Sequence, residues 1–153
     1  MAIGTGSAIH FFGTADVLGT TPATVVNGAV SLASDLSEWT NDDDAPLASV
    51  LLEFETDTTG TAGTTVDLYC QLMNVASTND EEAPDVTNFL HRYMGSFPHN
   101  NPSVAVQYST IIVALPNTYT SQVYNFYIVN NTGQTIANTW DLTITPITYG
   151  PHA

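Results

Sequence analysis

In the stretch SVLLEFET, Val50, Leu52 and Phe54 alternate with Leu51, Glu53 and Glu55, the two-residue period of a strand with one buried face. TVDLYCQLM repeats the pattern, with Val66, Leu68, Cys70 and Leu72 on one side and Asp67, Tyr69 and Gln71 on the other. Tyr124, Phe126 and Ile128 alternate with Asn125 and Tyr127, and Trp140, Leu142 and Ile144 with Asp141, Thr143 and Thr145. The turn signal NNTG, 130–133, predicts that these last two strands form a hairpin. In VAVQYSTIIVAL the apolar parity changes between Val104, Val106, Tyr108 and Ile111, Val113, Leu115, which predicts a bulge near Ser109 or Thr110.

No segment carries a 3.6-residue apolar period with caps. With TNFLHRYMGSF (87–97) and a shorter strand around 24–32, about seven to eight strands are separated by Gly-, Pro- and Asn-rich turns. The class is all-β, a single antiparallel β-sandwich whose connectivity is either jelly-roll or immunoglobulin-like. Residues 1–23, rich in Gly, Ala and Thr around the apolar knot IHFF, read as an extended N-terminal arm packing only in part on the sandwich domain of 24–153.

Two loops nearly repeat each other: TNDDDAP at 40–46 and TNDEEAP at 78–84. If 49–56 and 65–75 pair as a hairpin through the Gly-rich turn, both loops lie at one end of the sheet. Asp42, Asp43, Asp44, Asp80, Glu81, Glu82 and Asp85 are then concentrated there. Oxygen ligands from two loops suit calcium. Against that, neither the 41–46 nor the 79–85 loop has the spaced D-x-D-x-D-G pattern, and consecutive acids point in different directions. Solvated loops that end strands, with Asn and Asp favouring turns and Ala-Pro blocking extension, are the preferred reading.

Only 10% of the 153 residues are charged, with fifteen acids set against Arg92 and no lysine, for a net charge of −14. Such a field repels phosphate backbones and anionic membrane surfaces, so neither nucleic acid nor membrane is an expected partner. The apolar run 110–115 is far short of the ~20 residues a bilayer requires, and the first residues lack the charged and apolar regions of a secretory signal. The single Cys70 forms no internal disulfide and has no metal-binding spacing; it is expected to be a buried hydrophobe.

His10, His91, His99 and His152 are scattered and no pair has ligand spacing. There is no G-x-S-x-G elbow and no phosphate loop, and without lysine there is no Schiff-base chemistry. Glu53 and Glu55 share one strand face as a solvated pair. No catalytic, cofactor-binding or metal-ligating residue is assigned, and an enzyme is not expected. A carbohydrate-binding sandwich is the rival reading, with Trp39, Tyr93, Tyr119, Tyr127 and Tyr149 as candidate stacking rings, although Trp39 is also placed to cap the core.

Monomeric β-proteins guard edge strands with lysine, inward charge or proline. These strands carry few charges and no lysine, and their outer faces of Thr, Ser, Asn, Gln and Tyr point to contact with other subunits. The blocks EWTNDDDAPLASVLLEFET, LYCQLMNVASTNDEEAP and LPNTYTSQVYNFYIVNNTGQTIANTWDLTITPITYGP resemble small virion structural proteins of tailed bacteriophages that decorate or cement the capsid. The resemblance spans roughly Ser34 to the C-terminus. It implies a non-enzymatic protein on the outer capsid surface, a homotrimer or other small homo-oligomer, with the major capsid protein as partner and the arm able to reach a neighbour.

Overall fold

The computed structural model describes residues 8–73, 80–88, 90–100 and 104–151. Among them run β1 (Ala8–Phe12), β2 (Asp16–Val17), β3 (Trp39–Thr40), β4 (Leu47–Phe54), β5 (Thr64–Met73), β6 (Tyr93–His99), β7 (Gln107–Ala114), β8 (Val123–Asn131) and β9 (Asp141–Pro151). The alternation decides which side of each strand is buried. Ala48, Val50, Leu52 and Phe54 of β4 face inward, as do Val66, Leu68, Cys70 and Leu72 of β5, Tyr124, Phe126 and Ile128 of β8, and Leu142 and Ile144 of β9. Trp140 is fully buried among them, and Trp39 closes one side of the core with its ring 5.7 Å from Tyr124 and 6.3 Å from Phe126. Burying one such side chain contributes roughly 1.5–3 kcal/mol.

Two antiparallel sheets enclose this core. The first has the order β1-β9-β4-β7, with β2 also on β9, and the second has the order β3-β8-β5-β6. β1 and β2 lie along the same edge of β9, with Phe12 opposite Ile147 and Val17 opposite Thr143. The Gly13 N–H bonds the Pro146 carbonyl between them at 2.9 Å, and the Leu18 N–H continues to Leu142 at 2.8 Å. They are one edge strand broken by a slip of one residue. Counted so, successive strands change sheet at every connection except β5 to β6. That wrapping is the jelly roll, and it decides between the two connectivities left open above.

Residues 8–18 are therefore extended, but as a hydrogen-bonded strand of the sandwich rather than an arm set apart from it. Neither expected hairpin forms. β4 lies between β7 and β9, and β5 between β6 and β8, so the 55–63 connection crosses from sheet to sheet; β8 and β9 are likewise in different sheets. Both edges of these central strands are taken by partners distant in sequence, which alternation cannot reveal.

β7 pairs with β4 without a slip from Gln107 opposite Phe54 to Ala114 opposite Leu47, so the predicted bulge is absent. Val104, Val106 and Tyr108 are exposed instead of being turned inward. The irregularity sits between Leu68 and Tyr69 in the β5–β6 pairing. Residues 24–32 form no strand, only bridges from Val25 to Ile136 and from Val30 to Val129. The predicted strand over 87–97 begins only at Tyr93, after a turn in which the Asp85 carboxylate accepts from the Thr87 N–H and after Arg92 at φ 61°. Phe89 lies outside the described residues.

The outer face of the second sheet is covered by its own chain. Tyr69, Tyr127 and Val129 form a small buried cluster with Val30 packed against it. Across this face runs the 80–86 segment, from Glu81, whose carbonyl accepts from Gln71 Nε2, to Pro84–Val86, which lie beside residues 26–30.

Candidate interaction surface

The two acidic stretches serve different local purposes. In the first, Asn41 is fully buried; its Oδ1 accepts from the Ala45 N–H at 2.9 Å and its Nδ2 donates to the Ala45 carbonyl and to Asn117 Oδ1. Asp44 turns the chain at φ 49°, a conformation Asp tolerates, and its carboxylate accepts from the Ser121 N–H at 2.8 Å. Asp42 and Asp43 are exposed. Tyr119 and Gln122 tie the Asp44 side of the sandwich to the end of β5, both donating to the Met73 carbonyl.

In the second stretch, Thr78 and Asn79 lie outside the described residues. The Glu81 N–H bonds the Leu72 carbonyl, and its carboxylate takes Nε and Nη2 of Arg92. The hydrogen bond from Arg92 holds the Glu81 carboxyl below its ordinary value, and the same bond raises Arg92. The Asp85 carboxyl is likewise lowered, first by the Thr87 N–H and then by Asn88. Asp85 lies beside residues 26–30 and not with Glu81 at Leu72, so the seven acids are not all gathered at one end. Among the described residues no three His, Cys, Asp or Glu side chains are grouped to hold a metal.

The remaining chemical candidates are dispersed. His10 stands on β1 with its ring 4.7 Å from Tyr149, while His91 lies before β6. His99 is fully buried, with Nδ1 2.9 Å from Thr64 Oγ1 and its ring beside Phe54. His152 lies outside the described residues. Burial pushes the Cys70 thiol up to about 12. Glu53 and Glu55 make separate contacts, with the Tyr108 and Thr139 hydroxyls. Of the rings suited to stacking on a sugar, Trp39 and Tyr127 are buried; Tyr93, Tyr119 and Tyr149 are on β6, the loop before β8 and β9.

What the strands do build is the outer face of the first sheet. Cα partners share a side, so the ladder reads across four strands in rows. Phe12, Ile147, Leu47 and Ala114 make one row; Thr145, Ser49 and Ile112 the next; Val17, Thr143, Leu51 and Thr110 the third; and Asp141, Glu53 and Tyr108 the last. Phe12, Val17, Tyr108 and Ile112 are each between 63% and 66% exposed. Charge enters in the last row, where Asp141 accepts from the Gly19 N–H at 2.7 Å, and just beyond it at Glu55. The signal for this face was present in the sequence as the outward half of each alternation, which is Thr, Ser and aliphatic where a monomer's is usually charged.

The fold thus defines a jelly-roll domain in which the outer face of one sheet is covered by its own loops, while that of the other leaves Phe12, Val17, Tyr108 and Ile112 exposed and Ile147 buried. No known protein family matches the chain. No curated protein matches it. Among solved structures, a chain of Desmodium yellow mottle tymovirus aligns with 100% of this chain and 93% of its own length, at 14% identity and a TM-score of 0.35.

Proposed function

We propose that this protein is a non-enzymatic virion structural protein, one that decorates the outer surface of a bacteriophage capsid and stabilises it through subunit–subunit contacts. The observation that carries this reading is the outer face of the first sheet, exposed at Phe12, Val17, Tyr108 and Ile112 and charged only at one end, in a chain of net charge −14. A monomer free in solution gains solubility by spreading charge over such a face; a subunit in a shell needs surfaces a neighbour can cover. The resemblance of three sequence blocks to phage decoration proteins agrees with it. The jelly roll agrees as well, but by fold-level analogy alone, since the same architecture serves lectins and cupins.

Of the five candidate rings for carbohydrate binding, Trp39 and Tyr127 are committed to packing, while Tyr93, Tyr119 and Tyr149 are exposed but dispersed over β6, the loop before β8, and β9. The experiment that tests the proposal is addition of the purified protein to capsids lacking it. Saturable occupancy at a fixed number of copies per capsid, with a raised capsid melting temperature, is expected. Absence of capsid binding overturns it.

A further inference from the structure

We infer that the outer face of the first sheet is a self-association surface, on which a second copy of this chain packs face to face about a two-fold axis, with its strands antiparallel to those of the first. The inference concerns the isolated protein and stands whether or not it works on a capsid.

Three observations select a second copy as the occupant. The first is the treatment of the other sheet. Tyr69, Tyr127 and Val129 on its outer face are buried with Val30 packed against them, whereas Ile112 and Val17 on the first sheet are 65% and 63% exposed.

The second is charge. Two chains of net charge −14 repel through most surfaces, but here the carboxylates, Glu53 and Asp141 in the last row and Glu55 just beyond it, are confined to the end farthest from Leu47 and Ile147. A two-fold axis across the strands, near the rows of Ser49 and Leu51, sets the acids of each copy over the opposite end of its mate. The two acidic rows are then separated by six residues at ~3.3 Å, about 20 Å, more than two Debye lengths at physiological salt. At that opposite end stand Tyr149 and His10, whose hydroxyl and ring N–H can donate to a carboxylate.

The third is size. Four strands at ~4.8 Å and seven residue positions along each at ~3.3 Å give a footprint of about 440 Å² per copy, or roughly 900 Å² in all, near the lower bound for a specific interface. A reversible dimer is expected rather than an obligate one. Two such faces pack ~10 Å apart at roughly 30°, as sheets do in a sandwich core. An isologous contact of this kind closes on itself and forms no filament.

Analytical ultracentrifugation of the full chain across a concentration series tests this. The wild type is expected to show a monomer–dimer equilibrium. Ile112→Glu, which places a carboxylate within the contact at a side chain already 65% exposed, is expected to weaken it about tenfold or more. Val26→Glu adds the same charge at an exposed site near the covered sheet and is expected to leave it unchanged. Thermal melts of each variant report folding separately. A wild type that stays monomeric, an Ile112→Glu protein that dimerises as the wild type does, or equal weakening by both substitutions overturns the inference.

Discussion

Nε of Arg92 lies 2.9 Å from Oε2 of Glu81, and Nη2 of the same guanidinium reaches Oε1, so the chain's single Lys or Arg side chain grips a carboxylate from two nitrogens. The pair fastens the start of the segment that crosses the second sheet to the turn entering β6. Its consequence is a dependence of stability on acidity. Glu81 has a folded value below its ordinary 4.5, so it binds fewer protons folded than unfolded. Its stabilisation is complete above about pH 4.5 and is lost as pH falls through the lower folded value. Chemical denaturation at a series of pH values should show stability declining below about 4.5, with a shallower decline in Glu81→Gln. An unchanged slope in that variant contradicts the assignment.

Gly60 is a site of close approach, since a Cβ built there lies 2.5 Å from Cε1 of the His99 ring. That ring is fully buried and tethered to Thr64, so it has nowhere to retreat. Gly60→Ala is expected to cost about 1–3 kcal/mol, as overpacking of a filled core does. Pairing it with His99→Ser should cost less than the sum of the two single changes, and strict additivity in a double-mutant cycle would argue against the clash.

The Cys70 thiol, buried and raised to about 12, should be inert to a thiol-specific reagent at neutral pH in the native protein. Labelling is expected only with unfolding, and rapid modification of the folded chain would show that the side chain is accessible.

Truncation of residues 1–18 probes the N-terminal edge strand. It strips β1 and β2 from β9 and removes Leu18, a core residue 2% exposed whose burial alone is worth roughly 1.5–3 kcal/mol. A lower melting temperature and a tendency to aggregate through the bared β9 edge are expected. A truncated protein as stable as the full chain would mean these residues contribute nothing to the sandwich.

How far the sequence revealed this molecule varies by level. Alternation in β4, β5, β8 and β9 gave the core side chains correctly, because period two depends only on one strand facing oil and water. Partner choice was hidden, since NNTG and the Gly-rich 57–63 turn chain from sheet to sheet as readily as they close a hairpin, and only the competition for both edges of β4 and β5 decides. Parity misleads at Val104 and Val106, because exposed aliphatics imitate inward ones and so imply a bulge that the β4–β7 register does not contain. The acidic repeats looked alike because Asn, Asp and Ala-Pro serve any turn; only tertiary contacts distinguish Asp44, bonded to Ser121, from Glu81, bonded to Arg92. The outer face of the first sheet is visible in fragments, as uncharged outward positions on separate strands, but its continuity requires the strand order.

Assignment to the virion is tested most directly by the copy number of this protein on purified, DNA-filled phage heads, by quantitative mass spectrometry against the major capsid protein. A constant ratio that persists through repeated purification and falls only when heads are destabilised is predicted. A protein that washes away from the heads, or is present at a ratio that varies from one preparation to the next, contradicts the proposed role.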